Sequence, residues 1–208
     1  TGIGDVSFTA TAGEIVSSAV TVEDCRFYDN QSVDKTSSYV DRRNTVIKTF
    51  VENEYISIKG TRDEFNDMGL PFSASTSENW CFEADMQQTS NSTRIFIGMV
   101  LISASNSSNR ISNLLYKNEH ASYGYGSPNS YLFRDSNVKG ALNTWYHFKW
   151  ELQDGELIYS IYDNNNVLLS VHTLTLPSNY SNVNVYPCIT RYENTQTGTV
   201  KNIKFKSL

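Results

Sequence analysis

Glu83 and Asp85 lie two residues apart in the segment 80-WCFEADMQ-87, in which apolar and polar side chains alternate. In an extended strand this spacing puts both carboxylates on one face, while Trp80 and Phe82 face the opposite way. A pair of carboxyl groups flanking a glycosidic bond is the arrangement that most glycosidases use to cleave it. Two solvated residues on the polar side of a sheet have the same spacing. The sequence therefore raises two alternatives for this pair, an active site and an outward surface.

The two-residue turn Asp154-Gly155 predicts a β-hairpin, because a type I′ turn needs two residues that tolerate positive φ. Apolar and polar residues alternate on both sides of this turn over residues 145–162. Counting outward from the turn gives one apolar and one mostly polar face, as a half-buried antiparallel sheet requires. The predicted pairs are Leu152–Leu157, Trp150–Tyr159 and Phe148–Ile161 on the apolar face, and Glu151–Ile158, Lys149–Ser160 and His147–Tyr162 on the other.

An Asn-rich turn, 163-DNNN-166, follows this hairpin. We predict that the three asparagines form a three-residue loop. One of them should adopt the left-handed region, which Asn tolerates better than other non-glycine residues. A loop of this length places Val167, Leu169 and Val171 on the core face together with Ile161.

Strands account for most of the remaining sequence. One short helical turn is predicted within residues 61–70. Strands about 8–12 residues apart, joined by loops rich in Ser, Asn and Gly, indicate an all-β fold with two antiparallel sheets. The further predicted strands are residues 6–12, 46–60 (two strands or one broken strand), 80–87, 94–103, 111–118, 130–135, 182–192 and 199–208.

Charge and cysteine content limit the class of protein. The 208 residues have a net charge of −5 and no basic cluster, which argues against a nucleic-acid surface. No apolar run of about 18 residues exists, so no membrane span is predicted. Cys25, Cys81 and Cys188 are too widely spaced for a metal site or a disulfide framework. We expect free thiols, with a Cys25–Cys188 disulfide as the alternative. The chain begins at Thr1 without Met, so we expect it to be part of a longer chain.

The strands and turns form a pattern in the segments 21-TVEDCRFYDN-30, 78-ENWCFEADM-86, 145-WYHFKW-150, Asp154-Gly155, 157-LIYSIYDNNN-166 and 200-VKNIKF-205. This pattern resembles the concanavalin A-like lectin/glucanase superfamily. The resemblance covers residues 21–208 and implies a jelly-roll β-sandwich, with residues 1–20 as an N-terminal strand or a linker from a preceding module. Members include lectins, carbohydrate-binding modules, laminin-G-like modules, glucanases, polysaccharide lyases and attachment domains of viral fibres. The fold alone does not choose among these activities.

The resemblance also allows a test for catalysis. Glucanases of this superfamily carry Glu-x-Asp-x-x-Glu on one strand, with the first Glu as nucleophile and the last as general acid. Here Glu83 and Asp85 fill the first two positions, and Gln88 stands at the third. Retaining hydrolysis needs two carboxyl groups, one of them protonated, and an amide cannot replace the acid. The Gln-x-His strand of alginate-lyase-type members does not occur in the sequence. We therefore expect no enzyme and no catalytic residue.

A structural calcium ion is common in this superfamily, bound through Asp side chains and backbone oxygens. Asp24, Asp29 and Asp34 are near the first strand, although their spacing is not that of an EF-hand loop. Calcium is thus the one cofactor that the resemblance suggests, and no other is expected.

Tyrosines are the first candidate ligand-binding residues. A sugar site needs aromatic rings against apolar C–H faces and planar polar groups for hydroxyls. We expect Tyr116, Tyr123, Tyr125 and Tyr131 to supply the rings from a loop that turns at Gly and Pro residues. The alternative is a tyrosine-rich crossover packed on the edge of the sandwich.

Polar residues of the predicted strands complete the candidate set. Glu83 and Asp85 face outward, and Arg94 could pair with either of them if their strands are adjacent. Tyr192 lies between two charged residues near the C-terminus, and His147 on the polar face of its strand could touch a ligand. For each of them the alternative is a surface ion pair or a structural hydrogen bond.

The leading hypothesis is a non-catalytic carbohydrate-binding or attachment module, with a glycan or polysaccharide as partner. We expect it to belong to a larger extracellular, cell-surface or viral-fibre protein. Two alternatives remain open: a structural or protein-binding adhesion module without a glycan ligand, and a glycoside hydrolase or polysaccharide lyase of the same fold.

Overall fold

The structure, a computed structural model, describes residues 6–8, 11–12, 15–16, 20–22, 25–42, 45–61, 65–90, 96–126, 129–192 and 197–208. It consists almost entirely of β-strands. Four short strands come first: β1 (Val6–Phe8), β2 (Thr11–Ala12), β3 (Ile15–Val16) and β4 (Val20–Val22). The first pairs with the fourth, and the second pairs with the third.

Sixteen further strands form two large sheets. Two 3₁₀ turns, Thr36–Ser38 and Ser178–Tyr180, accompany them. In chain order the strands are β5 (Cys25–Asp29), β6 (Val40–Asp41), β7 (Val46–Val51), β8 (Tyr55–Gly60), β9 (Phe65–Gly69), β10 (Ala74–Ser75), β11 (Trp80–Gln88), β12 (Phe96–Ser103), β13 (Arg110–Tyr116), β14 (His120–Tyr125), β15 (Ser130–Asp135), β16 (Trp145–Gln153), β17 (Glu156–Tyr162), β18 (Leu168–Thr175), β19 (Asn184–Tyr192) and β20 (Thr197–Ser207).

The strand order defines a front sheet and a back sheet. The front sheet runs β18-β17-β16-β11-β20-β8-β7, and β5 also pairs with β20. The back sheet runs β15-β14-β13-β12-β19-β9-β6, and β10 also pairs with β19. All of these pairings are antiparallel. The predicted two-sheet antiparallel architecture is confirmed.

One hydrophobic core fills the space between the two sheets. Trp80, Phe82 and Trp150 contribute from the front sheet, and Met99 contributes from the back sheet. The rings of Trp80 and Phe205 lie 5.5 Å apart, on neighbouring strands. Burying one large apolar side chain stabilises a fold by about 1.5–3 kcal/mol, so these alternating inward residues fix which side of each strand faces outward.

The hairpin of β16 and β17 has the predicted register. All six predicted pairs occur, from Leu152–Leu157 beside the turn to His147–Tyr162. Asp154 has φ of 52° and Gly155 has φ of 83°, as a type I′ turn requires. The outward positions of β16 therefore follow from the turn chemistry.

The predicted orientation of β18 is wrong. Asn166 does adopt the left-handed region, with φ of 63°. However, Ile161 pairs with Ser170 and Tyr162 pairs with Leu168, because a bulge shifts the register between them. A shift of one residue turns every side chain to the other face. Val167, Leu169 and Val171 consequently face outward and are 56%, 37% and 54% exposed.

Two further strands replace the predicted loop and helical turn. Residues 65–69 form β9 rather than a turn of helix, and residues 120–125 form β14 rather than part of a tyrosine loop. Both strands bury polar side chains, including Asn66 and Asp67 in β9 and His120 in β14. The usual pattern of apolar residues facing inward is therefore missing from their sequences.

The three cysteines do not form disulfides. Cys25 in the front sheet and Cys188 in the back sheet are both free thiols, so the alternative of a bridge between them is wrong. Cys81 and Cys188 are buried. Among the residues that the structure describes, no helix is long and apolar enough to span a membrane.

Candidate functional site

The outer face of the front sheet carries the acid pair. Glu83 and Asp85 alternate with the buried residues of β11 and are both partly exposed. On one side they pair with Lys149 and His147 of β16. This central strand thus places two carboxylates among basic residues of its neighbours.

His147 joins the two carboxylates. Its Nδ1 lies 2.8 Å from Asp85 Oδ1, and its Nε2 lies 3.7 Å from Glu83 Oε2. Burial lowers the pKa of His147, but its interactions with both carboxylates outweigh burial and raise that pKa to about 9. The ring is therefore a cation at neutral pH, with each nitrogen directed at one carboxylate.

The same contacts keep both acids ionised. The charged His147 ring nearby is the largest influence on Glu83 and lowers the pKa of that carboxyl below its ordinary value. Burial raises the pKa of Asp85, but hydrogen bonds from His147 and Asn202 bring it below its ordinary value. Neither carboxyl group is protonated near pH 7, so this trio is an ion-paired network.

A β-bulge in β20 completes the network. The strand pairs Lys204 with Glu83 but Lys201 with Asp85, so one extra residue lies between them. Asn202 sits in this bulge with φ of 52°. Its Nδ2 donates to Asp85 Oδ2 at 2.6 Å, and its backbone N–H donates to Gln31 Oε1 at 3.0 Å. Bulges commonly redirect a side chain towards a site in this way.

Trp145 and Lys201 form the centre of a groove beside this network. Lys201 Nζ lies 4.3 Å from the centroid of the Trp145 ring, which is a cation–π contact. The two residues line both of two adjoining hollows, of about 250 and 460 Å³. The first hollow is also lined by Asp85, Tyr146, His147, Asp163, Asn164 and Asn166, and the second by Asn30, Gln31, Asn53, Glu54, Tyr55, Gln87 and Asn202.

Comparison with known proteins gives similarity at the level of structure alone. No protein-family profile and no curated sequence matches the chain. Among solved structures, lectin II from Ulex europaeus has a TM-score of 0.67 at 6% identity, covering 87% of this chain and 97% of the lectin. The carbohydrate-binding module CBM66 from Bacillus subtilis has a TM-score of 0.62 at 11% identity, covering 84% of this chain and 99% of the module. The chain has the concanavalin A-like jelly-roll fold.

A third similar structure comes from a phage. A carbohydrate-binding module of the evolved Dit protein of Lactobacillus casei BL23 phage J-1 has a TM-score of 0.60 at 10% identity, covering 87% of this chain and 94% of the module. At such identities the similarity establishes the jelly-roll fold and assigns no individual residue.

The predicted tyrosines lie on the other sheet of the jelly roll. Tyr123 and Tyr125 face outward from β14, with ring centroids 4.4 Å apart, and Tyr131 of β15 lies 5.1 Å from Tyr123. Tyr131 is the most exposed of them, at 51%. Tyr116 is partly buried at the end of β13. The structure therefore separates the tyrosine cluster from the acid pair instead of joining them in one site.

The other predicted residues have varied outcomes. Arg94 lies outside the described residues. Its pairing with the acid pair required the two strands to be adjacent, but β11 and β12 belong to different sheets. Tyr192 pairs through its backbone with Phe65 at the end of β19. His147, considered only as a strand residue that could touch a ligand, proves to be the link within the acid pair.

Two of the three residues considered for calcium are engaged by the protein itself. Asp29 is buried and accepts hydrogen bonds from Tyr39 Oη at 2.7 Å and from the Gln31 N–H at 2.9 Å. Asp34 accepts from the Thr36 N–H at 2.8 Å, and Asp24 lies outside the described residues. Within the described part of the chain, no group of three or more His, Cys, Asp or Glu side chains is arranged for a metal ion.

The arrangement on β11 does not match glycoside hydrolysis. Gln88 is buried, and its Nε2 donates to Ser90 Oγ at 3.2 Å. Both carboxyl groups of β11 are ionised, whereas the reaction needs one that can donate a proton. The charged His147 is held between those carboxylates instead of facing the groove freely.

A buried trio inside the jelly roll has the residue types of a serine nucleophile site. His120 Nε2 lies 2.7 Å from Asn113 Nδ2, and His120 Nδ1 lies 2.9 Å from Ser170 Oγ. Because the amide donates to Nε2, the proton is on Nδ1 and is donated to the serine. A nucleophilic serine needs an accepting nitrogen instead. Burial lowers the pKa of His120 to about 4, so the trio is a neutral link between the sheets.

Sequence reasoning missed Trp145, Lys201 and Asn202 as site residues. Trp145 was placed in a predicted strand, and the other two belong to the quoted segment 200-VKNIKF-205. The pairing of β20 with β11 brings Lys201 and Asn202 to the acid pair across more than a hundred residues of sequence. Trp145 reaches the same place through the pairing of β16 with β11. An Asn within an alternating strand is a weak signal of a bulge, because Asn tolerates positive φ.

Proposed function

We propose that this chain is a non-catalytic carbohydrate-binding module and that its groove at Trp145 and Lys201 holds the glycan. The supporting observation is that groove itself. It combines one partly exposed indole ring with amide and charged side chains in two adjoining hollows. An aromatic ring offers a surface to the apolar face of a sugar, and fixed polar groups supply orientation, which is the usual composition of a small-ligand site.

The polar groups around the ring are held in place before any ligand arrives. Asn202 is fixed by its bonds to Asp85 and Gln31, and Gln87 Oε1 accepts from Thr199 Oγ1 at 3.3 Å. Groups that are already ordered lose little entropy on binding, which favours affinity. The lectins and carbohydrate-binding modules of the same fold are consistent with this use of the jelly roll.

The lack of catalysis is part of the proposal. The support is chemical: the two carboxylates of β11 are both ionised, and Gln88 is turned away from them into the interior. Incubation with β-glucans and uronic-acid polymers should release neither reducing ends nor unsaturated products. Product formation that disappears in Glu83→Gln would show an enzyme instead.

A glycan array with matched variants tests the binding site. Wild-type protein should bind at least one glycan, and Trp145→Ala should weaken that binding about tenfold or more, which equals about 1.4 kcal/mol. Tyr131→Ala is the control, since it removes an exposed aromatic ring from the back sheet. Unchanged binding in Trp145→Ala would exclude the groove, and a loss in Tyr131→Ala alone would place the site at the tyrosine cluster. No binding to any glycan would refute the proposal.

We further propose that the module serves a larger extracellular, cell-surface or viral-fibre protein. Its polar residues are mostly Asn, Ser and Thr, and only 19% of the chain is charged. The Dit module of phage J-1 shows that this fold occurs in a phage protein. Immunodetection in secreted, surface and particle fractions of the source tests the location, and confinement to the cell interior would contradict it.

A further inference from the structure

The acid pair is already engaged within the protein. Asp85 accepts from His147 at one oxygen and from Asn202 at the other. Glu83 lies 3.7 Å from His147 and 3.6 Å from Lys204 Nζ. A sugar hydroxyl at the carboxylates would compete with these charge-assisted contacts, which is unfavourable. Recognition in the groove must therefore come from other groups.

Positive charge prevails on the three central strands of this face. The outward side chains of β11, β16 and β20 include five cations, counting the charged His147, against three carboxylates, which leaves a surplus of two. The whole chain, by contrast, has a net charge of −5. The cations are His147, Lys149, Lys201, Lys204 and Lys206, and the carboxylates are Glu83, Asp85 and Glu151.

Lys201 is the cation at the centre of the groove. Lys149 pairs with Glu151 at 3.0 Å, and Lys204 lies near Glu83, but Lys201 has no salt bridge to any described residue. Its Nζ is held over the Trp145 ring at the junction of the two hollows. An ammonium so placed is favourably positioned to meet an anion brought by a ligand.

We propose, building on the proposed carbohydrate function, that the groove selects glycans with an anionic group, a carboxylate or a sulfate, which binds Lys201. The amides of both hollows would then receive the sugar hydroxyls. Each hollow also has one further carboxylate, Asp163 in the first and Glu54 in the second. Asp163 Oδ1 accepts from the backbone N–H groups of Asn165 and Val167. These flanking negative charges disfavour a polymer charged on every residue and favour a single anionic group at the junction.

The test compares acidic and neutral forms of the same glycan. The probes are a glycan array, oligosaccharides with a single uronic acid against their methyl esters, and monosulfated agaro-oligosaccharides against their desulfated forms. Acidic forms should bind about tenfold or more tightly than their neutral partners, and added salt should reduce that preference. The two matched pairs distinguish a carboxylate from a sulfate ligand.

Lys201→Met keeps the apolar stem beside Trp145 and removes the charge. It should bring the ratio of acidic to neutral affinity to about one, whatever its effect on the affinity for the neutral form. Lys117→Met is the control, because Lys117 is exposed in the turn between β13 and β14 on the other sheet. Equal affinity for acidic and neutral forms, or an acidic preference that survives in Lys201→Met, overturns this inference and leaves the proposed function standing. Binding to no glycan at all overturns both.

Discussion

Acidification from pH 7 to pH 5 should destabilise the protein through the buried His120. Burial lowers the pKa of this side chain to about 4 in the folded state, against 6.5 for an unperturbed histidine. When folding lowers the pKa of a histidine, the protein has its full stability at a pH above the pKa of that histidine in the unfolded chain. It loses stability as the pH falls towards the pKa of the histidine in the folded protein. The loss should therefore occur between about pH 6.5 and pH 4.

The magnitude follows from the two pKa values. Their difference, 6.5 minus about 4, is about 2.5 units. At about 1.36 kcal/mol per unit, the largest possible loss is about 3.4 kcal/mol. At pH 5 the unfolded histidine is almost fully protonated while the folded one is mostly neutral, which gives a loss of about 2 kcal/mol. A typical domain has only about 5–15 kcal/mol of stability, so this loss is measurable.

Urea unfolding at pH 7, 6 and 5 measures this effect in the wild type and in His120→Gln. The variant lacks the ring contact with Phe133 and should be less stable at pH 7. The stability difference between the two proteins should shrink by about 2 kcal/mol at pH 5, because only the wild type must protonate a buried ring. The acid pair is present in both and cancels. A difference that stays constant from pH 7 to pH 5 would refute the reasoning.

Three further predictions concern the network, the turn and the corrected strand. His147 should titrate near pH 9 by NMR, and Asp85→Asn should lower that pKa. The raised pKa of His147 stabilises the folded protein fully below about pH 6.5, and this contribution is lost as the pH rises towards 9. A wild-type value near 6.5 would exclude the ion-paired ring. Gly155→Ala should lower the free energy of unfolding in urea by about 1 kcal/mol, because a side chain disfavours a φ of 83° even though an added Cβ would meet no neighbour. An unchanged unfolding midpoint would argue against the left-handed turn. Leu157→Ala should cost about 2–5 kcal/mol and Val171→Ala less than about 0.5 kcal/mol. Similar losses for both would contradict the outward position of Val171.

The fold was predictable where turn chemistry and alternation agree. Asp154-Gly155 determines the register of β16 and β17, and the inward residues of β11 determine that Glu83 and Asp85 face outward. The prediction failed where a bulge or a buried polar residue breaks the alternation. The bulge beside Ile161 reversed the faces predicted for β18, and the buried polar side chains of β14 kept it from being predicted as a strand.

The candidate site was only partly predictable, because it depends on pairing between distant strands. The acid pair could be located from one segment. Its partners His147 and Asn202 come from β16 and β20, and no local pattern states which strands lie beside β11. The tyrosines were found by composition, which does not tell which sheet carries them. The groove at Trp145 emerges only when both neighbours of β11 are in place.

Chemical-shift mapping with a bound oligosaccharide tests the location of glycan binding most directly. A ligand found on the array is titrated into isotope-labelled protein, and the indole N–H of Trp145 is followed together with the backbone signals of β11, β16 and β20. We expect the largest changes at Trp145, Lys201 and Asn202, with saturation at a single dissociation constant. Changes centred on Tyr123, Tyr125 and Tyr131 of the back sheet would contradict the proposed site.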